Sequence, residues 1–508
     1  MGLSVILFAV TVLVQASLGI PPHSVHHPPP PPPPPLNKPF PQKFSFGVAS
    51  GAHNIEGAWD LDGKGESIWD SWLHCEPDVV IDGTNGDISA DAYHHTEEDV
   101  EILNNLTVSH YKFSLSWTRI IPSGCGEVNK AGVRYYERLL KLLKDNQIEP
   151  IVTIYDGDLP QCLQAMGGFL SEDFTLWYEE YAKTVFELFG HYVKYWITFN
   201  NPTLICNGGY GDGIYAPGIS DNTGVNDYLC GHILLKAHAR VYHLYDDCYR
   251  DIQKGKISIA LQSDWYEPNS DCQTDIDAAE LKLQFTIGWF AHAIYIGDYP
   301  PAMIDRIGEL SEYEGLPESR LPRFTRKEIE FIKDTHDFFA LQWFTSKNVK
   351  AIRAESCGSV SYTNDIGVEI LDIEGDITFG IKKLIIWIKD TYYNPSIFIT
   401  ASGFYTADRI FEDEDRITYI HDSLVNIRAA MINNDARVYG YTYYSYIDTF
   451  EWLMGYTKRY GLYDVEFDCP TRQRTARKST AYYAFVCKFG CIDDPCPPKH
   501  HHSWYWED

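Results

Sequence analysis

Short apolar runs alternate with longer amphipathic segments along most of the chain, from Phe40 to about residue 490. The short runs are rich in β-branched and aromatic residues, as buried strands are. Several longer segments repeat apolar positions with a helical period, for example "YYERLLKLLKDN" (135–146) and "LWYEEYAKTVFELFG" (176–190). Eight runs are predicted as strands: "FSFGVAS" (44–50), "YKFSLSW" (111–117), "EPIVTIY" (149–155), "KYWITFN" (194–200), "KISIALQ" (256–262), "DFFALQW" (337–343), "SIFITAS" (396–402) and "VYGYTYYS" (438–445). Their alternation with helices predicts an α/β protein, a single (β/α)8 barrel over residues 40–490.

Two of the predicted strands run into polar residues where they end. They are "YWITFNNPT" (195–203) and "SIFITASGF" (396–404). In such barrels the working residues sit at the carboxyl ends of the strands. Yet neither stretch contains a carboxylate, a histidine or a cysteine.

Both ends of the chain differ from this pattern. Residues 1–19 read as a secretory signal, because the apolar run Leu3 to Val14 is short for a membrane span and small residues follow it. Residues 20–39 form a His/Pro-rich linker whose eight consecutive prolines, 28–35, favour an extended polyproline rod. Residues 491–508 form a Cys/His-rich tail. Its cysteines could staple it, and its histidines could bind zinc, but we expect solvated histidines and no metal.

The composition of the chain limits the kinds of partner that it can bind. The 508 residues carry a formal charge of −28, which disfavours nucleic acid. No stretch after the signal is apolar enough for a membrane helix, so we expect a secreted, extracellular protein without a membrane span. Twelve cysteines then imply disulfides of open connectivity, and Asn105-Leu106-Thr107 predicts a glycosylation site at Asn105.

Several motifs occur in a fixed order between Phe40 and Lys488: "FSFGVASGAHNIEGAW", "GKGESIWD", "YKFSLSWTRIIPSG", "YDGDLPQ", "TFNNP", "YAPG", "GWFAHAIYIGDYP" and "FEWLMGYTKRYGLYDVEF". Together they resemble glycoside hydrolase family 1, the retaining β-glucosidases and their myrosinase-like relatives. The resemblance implies a single (β/α)8 barrel. It also implies a pair of glutamates, an acid/base in Thr-Phe-Asn-Glu-Pro and a nucleophile in Thr-Glu-Asn-Gly.

Both glutamates are replaced at the matching positions. Asn201 stands at the acid/base position and Ala401 at the nucleophile position. An amide has no titratable proton near neutral pH, and a methyl group has no nucleophilic atom. The resemblance also sets Lys112 and Phe344 where the family has an arginine and a tyrosine beside the nucleophile.

The resemblance further implies a set of ligand-binding residues. Asn54 stands for the sugar-binding glutamine, Asp156-Gly157 for a His-Trp pair, and Tyr444 for the tryptophan under the sugar. Asn200, Glu451 and Trp452 match family residues that contact sugar hydroxyls. Most replacements are smaller than the family residue, so we expect a wider pocket. The predicted ligand-binding residues are Asn54, Asp156, Asn200, Asn201, Tyr444, Glu451 and Trp452.

These substitutions lead to the expectation that the chain is not an enzyme. We expect a secreted, catalytically inactive β-glucosidase-like protein that binds, carries or stores a small hydrophobic molecule, such as a pigment, or a glycan. No cofactor is expected beyond such a molecule in the barrel pocket, and the oligomeric state stays open. One alternative is an active β-glycosidase with relocated carboxylates, for which Asp156 and Glu451 are available. Another is a protein-interaction or structural role.

Overall fold

The computed structural model describes residues 39–352 and 359–494. The expected signal segment lies outside the described residues, as do nearly all of the linker and most of the tail. The strands are β1 (Ser45–Ala49), β2 (His110–Ser114), β3 (Glu149–Tyr155), β4 (Tyr195–Asn200), β5 (Lys256–Gln262), β6 (Trp265–Pro268), β7 (Phe339–Gln342), β8 (Ser346–Ala351), β9 (Val368–Asp372), β10 (Ile397–Ser402), β11 (Val438–Tyr444), β12 (Tyr463–Val465) and β13 (Arg474–Ala476).

The α-helices surround these strands and connect them. They are α1 (Ala52–Ile55), α2 (Ile68–Cys75), α3 (Thr96–Asn105), α4 (Trp117–Ile120), α5 (Lys130–Asp145), α6 (Gln161–Ala165), α7 (Phe174–Phe189), α8 (Asn226–Cys248), α9 (Arg250–Gln253), α10 (Gln273–Leu283), α11 (Trp289–Tyr295), α12 (Pro301–Tyr313), α13 (Arg326–Ile332), α14 (Tyr362–Ile366), α15 (Phe379–Thr391), α16 (Glu414–Asn434) and α17 (Lys478–Phe489). None of the helices in the described residues is long and apolar enough to cross a membrane.

Eight strands close into a parallel barrel in the order β1-β2-β3-β4-β5-β7-β10-β11, and β11 pairs back with β1. These are the eight strands predicted from the sequence, so the (β/α)8 prediction is confirmed. Parallel strands bury both faces, one against the barrel interior and one against the helices. The long predicted helices match α5 and α7, each of which buries an apolar stripe against the barrel.

The two ends of the barrel differ in chemistry. At the amino end an apolar cluster fills the interior, formed by Ile151, Ile197, Ala260, Phe338, Ala340 and Phe398. At the carboxyl end the strands lead into long loops, some of which form small sheets. Strands β6, β8 and β9 make one three-stranded sheet, and β12 pairs with β13. The polar strand ends quoted above therefore open into a rim built by these loops.

The loop between β11 and β12 is held by a buried ionic cluster. Arg477 donates to Asp448 at 2.7 and 2.9 Å and to Asp464 at 3.1 Å. Arg459 adds a contact of 3.1 Å to Asp448. Arg477, Asp448 and Asp464 are essentially inaccessible to solvent. Removing one member of such a cluster leaves uncompensated buried charge, which costs about 3–5 kcal/mol. The loop that carries Glu451 is therefore firmly anchored.

Disulfides are present, as twelve cysteines suggested. Cys206, just beyond β4, is bonded to Cys230 in α8, with Cα atoms 5.4 Å apart. Cys491 is also disulfide-bonded. The bond from Cys206 ties the segment after Asn201 to a long, buried helix.

Candidate active site

A hydrogen-bonded cluster lies at the carboxyl ends of β3 and β4. Lys112 Nζ donates to Asn200 Oδ1 at 2.7 Å, and Asn200 Nδ2 donates to Asp156 Oδ1 at 2.8 Å. Gln342 Nε2 also donates to Asn200 Oδ1. Burial lowers the pKa of Lys112 to about 8, while Asp156 opposes that shift. Burial raises the pKa of Asp156, and the positive charge of Lys112 works against the increase. Asn200 thus bridges an acid and a base.

Asn201 faces the neighbouring strand. Its Nδ2 donates to Gln262 Oε1 at 2.7 Å, and its Oδ1 accepts from the backbone of Leu204 at 3.3 Å. The residue has φ of 51°, in the left-handed region that asparagine tolerates better than most residues. The side chain is therefore an amide fixed between β4 and β5.

Ala401 lies in β10 with 3 % of its surface exposed. Its carbonyl accepts from Trp343 at 3.0 Å, and it is in register with Gln342 of β7. The side chain offers only a methyl group. The assignment of positions 201 and 401 to the family's two glutamates stays a prediction.

Glu451 and Tyr444 form the second polar group of the site. Tyr444 Oη donates to Glu451 Oε1 at 2.9 Å, and Thr449 Oγ1 donates to the same oxygen. Burial raises the pKa of Glu451 to about 7, against these two hydrogen bonds. The pKa of Tyr444 is well above its ordinary value, first through burial, then through Glu451 and also through Asp156. Glu451 therefore contacts the Tyr444 hydroxyl directly, whereas Asp156 affects the pKa of Tyr444 only through its charge.

Trp452 and Asn54 lie beside Glu451 in different roles. The Trp452 ring is parallel to His53 within 6°, at a centroid distance of 5.7 Å, and packs on Trp69 and Tyr215. It remains partly exposed, so its free surface is available to a ligand. Asn54 Nδ2 donates to the carbonyl of Phe450 at 2.7 Å. Asn54 therefore supports the loop just before Glu451.

The expected widening is not found at Gly157. A Cβ at that position would overlap the hydroxyl of Tyr215, so a neighbouring phenol fills the space of the missing side chain. Phe344 stands where the resemblance places a tyrosine. Its ring packs edge-on against the rings of Tyr444 and Tyr460, with centroid distances of 6.1 Å in both cases. The smaller residues are thus partly compensated by the surrounding aromatic rings.

Several polar residues at strand ends are part of the site but were not predicted from the sequence. Gln262 and Gln342 end β5 and β7 and hold the two asparagines, as described above. Asp264 follows β5 and is half-buried. Burial raises the pKa of Asp264 to about 6, against the charges of Lys347 and Lys282. The sequence contains a signal for these residues, because Gln262, Asp264 and Gln342 each follow an apolar run, as Asn200 does.

The glycosylation sequon is accessible. Asn105 is exposed at the end of α3, and Thr107 Oγ1 donates to the carbonyl of Ala484 at 3.3 Å. Its glycosylation stays a prediction. Within the described residues no group of three or more histidine, cysteine or acidic side chains is arranged to hold a metal ion. The tail histidines lie outside them.

Carboxylates, amides and aromatic rings gathered at the carboxyl end of a closed parallel barrel define a (β/α)8 protein with a polar candidate site. The model of Glycosyl hydrolase family 1 matches residues 36–490. The chain therefore belongs to glycosyl hydrolase family 1.

Named relatives extend over most of the chain. Myrosinase 1 of Brevicoryne brassicae is 40 % identical over 465 residues, covering 90 % of this chain and 100 % of the relative. The human cytosolic beta-glucosidase is 37 % identical over 461 residues, covering 88 % and 98 %. The solved aphid myrosinase superposes with a TM-score of 0.85 at 39 % identity, covering 89 % of this chain and all of that one. A beta-glucosidase from the fungus Humicola insolens, in complex with glucose, has a TM-score of 0.81 at 30 % identity and covers 88 % and 98 %.

These relatives correct one expectation. The prediction that the chain is not an enzyme is wrong, because relatives of about 40 % identity over most of its length are named as enzymes. Two substitutions count for less than similarity over most of the chain. The predicted replacement of two side chains would close one catalytic route, but it would not close every route.

Proposed function

We propose that this protein hydrolyses β-glycosides at the carboxyl end of its barrel, with Asp156 and Glu451 as the working carboxylates. The observation that carries the proposal is a pair of carboxyl groups of raised pKa at this end of the barrel, Asp156 bonded to Asn200 and Glu451 bonded to Tyr444. Relatives named as β-glucosidase and myrosinase support the substrate class. Acids of raised pKa in a polar cleft are the groups that general acid–base catalysis requires.

The reaction proceeds by single displacement. Ala401 offers no nucleophilic atom, so no covalent glycosyl intermediate forms at that strand end. Water attacks the anomeric carbon instead, as it does in inverting glycosidases. The water loses its proton to one carboxylate while the C–O bond to the leaving group breaks. The other carboxyl gives its proton to the departing oxygen, so the product sugar has the inverted configuration.

The pKa shifts of the two carboxyl groups indicate which one acts as the acid and which one as the base. Glu451 has a pKa near 7, so it is protonated in a large fraction of molecules at neutral pH and serves as the acid. Asp156 is linked to Lys112 through Asn200, and that positive charge favours its ionised form. Asp156 therefore serves as the base. Asn200 fixes the position of the carboxylate, as residues beside catalytic groups commonly do.

Hydrolysis of 4-nitrophenyl β-D-glucoside tests the proposal, with the product followed by proton NMR before it mutarotates. We expect slow release of 4-nitrophenol and initial appearance of α-glucose. Asp156→Asn and Glu451→Gln should each reduce the rate by about 10²- to 10⁴-fold. Initial appearance of β-glucose would overturn the mechanism, and so would a parent rate no higher than that of the protein carrying both Asp156→Asn and Glu451→Gln.

Asp264→Asn is the matched control, because Asp264 is a third carboxyl of raised pKa on the same rim. Under the proposal this variant keeps most of the activity. If Asp264→Asn removes activity while Glu451→Gln does not, the acid is Asp264 and the assignment of Glu451 is refuted.

We also propose that the protein acts outside the cell. The disulfide between Cys206 and Cys230 and the exposed sequon at Asn105 are features of secreted proteins. Recovery of the glycosylated chain from the medium of secretory cells tests this proposal, and an unglycosylated chain retained in the cytosol would contradict it.

A further inference from the structure

Strand β9 forms one edge of the small sheet at the rim of the barrel. The strand order of this sheet is β6-β8-β9, so β9 pairs with β8 on its inner side. Within the described residues no strand pairs with its outer side. An open edge of this kind presents a row of N–H and C=O groups to which a strand of another chain can bind.

The pairing of β8 with β9 shows which backbone groups face outward. The two strands are antiparallel, and just beyond their ends the N–H of Ile352 donates to the carbonyl of Gly367 at 3.3 Å. Because the hydrogen bonds of an antiparallel pair involve every second residue, the odd-numbered residues of β9 bond to β8. The even-numbered residues Val368, Ile370 and Asp372 therefore direct their N–H and C=O groups away from β8.

The acidic side chains of β9 are already paired with lysines. Glu369 forms an ion pair with Lys350 at 3.6 Å, and Asp372 forms one with Lys347 at 2.5 Å, both lysines lying in β8. The formal charge of −28 makes two copies of the chain repel each other in general, but this edge adds little to that repulsion. At the centre of the edge Ile370 is 46 % exposed, so an apolar side chain is available for contact.

A second copy of β9 fits this edge in a two-fold, antiparallel register centred on Ile370. Ile370 then lies opposite its own copy, Val368 lies opposite Asp372, and Glu369 lies opposite Leu371. Each outward-facing residue can exchange N–H···O=C bonds with the residue opposite. No two acidic side chains face each other, whereas a register centred on Glu369 or Asp372 would place like charges opposite, which is destabilising. The edge is thus complementary to itself, as a two-fold interface requires.

We infer that the protein forms a two-fold dimer through β9, with the strands of the two copies paired about Ile370. The pairing joins the small sheets of both copies into one continuous sheet. The partner is a second copy of this chain because the register satisfies the outward-facing backbone groups and avoids like charges at the same time. One short strand from each copy makes a small interface, so we expect a dimer that dissociates on dilution.

Light scattering after size-exclusion chromatography, over a range of protein concentrations, tests the inference on the full chain. We expect the mass of the parent to rise from monomer to dimer with concentration. Ile370→Pro removes an outward N–H and leaves the bonds to β8 intact, so it should raise the dissociation constant of the dimer about tenfold or more. Ile370→Lys should have the same effect, because it places two ammonium groups opposite each other. Ile252→Lys is the matched control, since Ile252 is 82 % exposed in α9, before β5 and thus at the amino end of the barrel.

Oxidative cross-linking reports the register directly. Opposite residues of a hydrogen-bonded antiparallel pair have Cα atoms about 5.5 Å apart, a distance that a disulfide can span. A covalent dimer should therefore form with Ile370→Cys, but not with the parent or with Ile252→Cys. A monomeric parent at every concentration would overturn the inference. So would a dimer that persists in both Ile370→Pro and Ile370→Lys while their melting temperatures match that of the parent. Because the readout is mass, its outcome is independent of turnover.

Discussion

Replacing Glu451 with glutamine removes the proposed general acid with little change in shape. Glu451 is 9 % exposed, and its Oε1 accepts from Tyr444. The amide oxygen of glutamine can accept the same bond, so the loop should keep its conformation. What the variant loses is the transferable proton.

The size of the effect follows from the pKa. With a value of about 7, Glu451 is about nine-tenths protonated at pH 6, half at pH 7 and one-tenth at pH 8. The acid must be protonated to act, so kcat/KM of the parent should fall about fivefold from pH 7 to pH 8. Activity should also fall in acid, because Asp156 must be ionised. Glu451→Gln should lose about 10²- to 10⁴-fold at pH 6 and show no alkaline decline.

The assay compares two aryl β-glucosides. A 4-nitrophenyl leaving group needs more protonation than a 2,4-dinitrophenyl group, so Glu451→Gln should affect the first substrate more. Tyr444→Phe provides the second readout. The Tyr444 hydroxyl lowers the pKa of Glu451, so its removal should move the alkaline decline to higher pH. An alkaline decline that persists in Glu451→Gln would refute Glu451 as the acid.

Four further predictions concern stability, the strand ends and processing. Cys206→Ala with Cys230→Ala should lower the free energy of unfolding by about 2–4 kcal/mol in urea titration, because the bond closes a loop of sequence separation 24. Burial raises the pKa of Asp158 from 3.8 to about 8. The protonated carboxyl therefore stabilises the fold fully below pH 4, and this stability is lost as the pH rises to 8. Asp158→Asn should reduce the difference in melting temperature between pH 5 and pH 9. Asn201→Glu should raise turnover of poor leaving groups by about 10²-fold or more if position 201 flanks the glycosidic oxygen, and an unchanged rate would reject that placement. Asn105→Gln should abolish an endoglycosidase-sensitive mass shift of the secreted chain.

The fold could be predicted from the sequence because its signal is local. Each barrel strand is a short run of β-branched and aromatic residues, and the sheet buries both faces, so the runs are apolar throughout. The boundaries agree within a few residues, as between "KYWITFN" and Tyr195–Asn200. The small sheets of the rim were not predicted. Their strands, such as Ser346–Ala351, are half-exposed and charged, and they pair only through long-range contacts.

The site could be predicted only in part, because its chemistry depends on distant partners. Asp156 and Glu451 were named from the sequence as available carboxylates. Their common effect on Tyr444 depends on the barrel closing β11 against β1. The filling of the Gly157 space by Tyr215 also required the structure, since 58 residues separate the two along the chain. A sequence shows which side chain stands at a given position. It does not show which side chain from another loop fills the space beside it, as Tyr215 does at Gly157.

The two proposed carboxylates are held by different means, and this explains the role of Asn54. Asp156 directly follows barrel strand β3 and is fixed by Asn200, so its position follows from the barrel itself. Glu451 lies on a loop, and a catalytic group on a loop needs external support. Asn54 supplies part of it through the carbonyl of Phe450, and the buried Asp448–Arg477 pair supplies the rest. Under the proposal, a residue that the resemblance assigned to sugar binding positions an acid. If Glu451 acts in catalysis, substitutions at Asn54 should therefore lower kcat more than they raise KM.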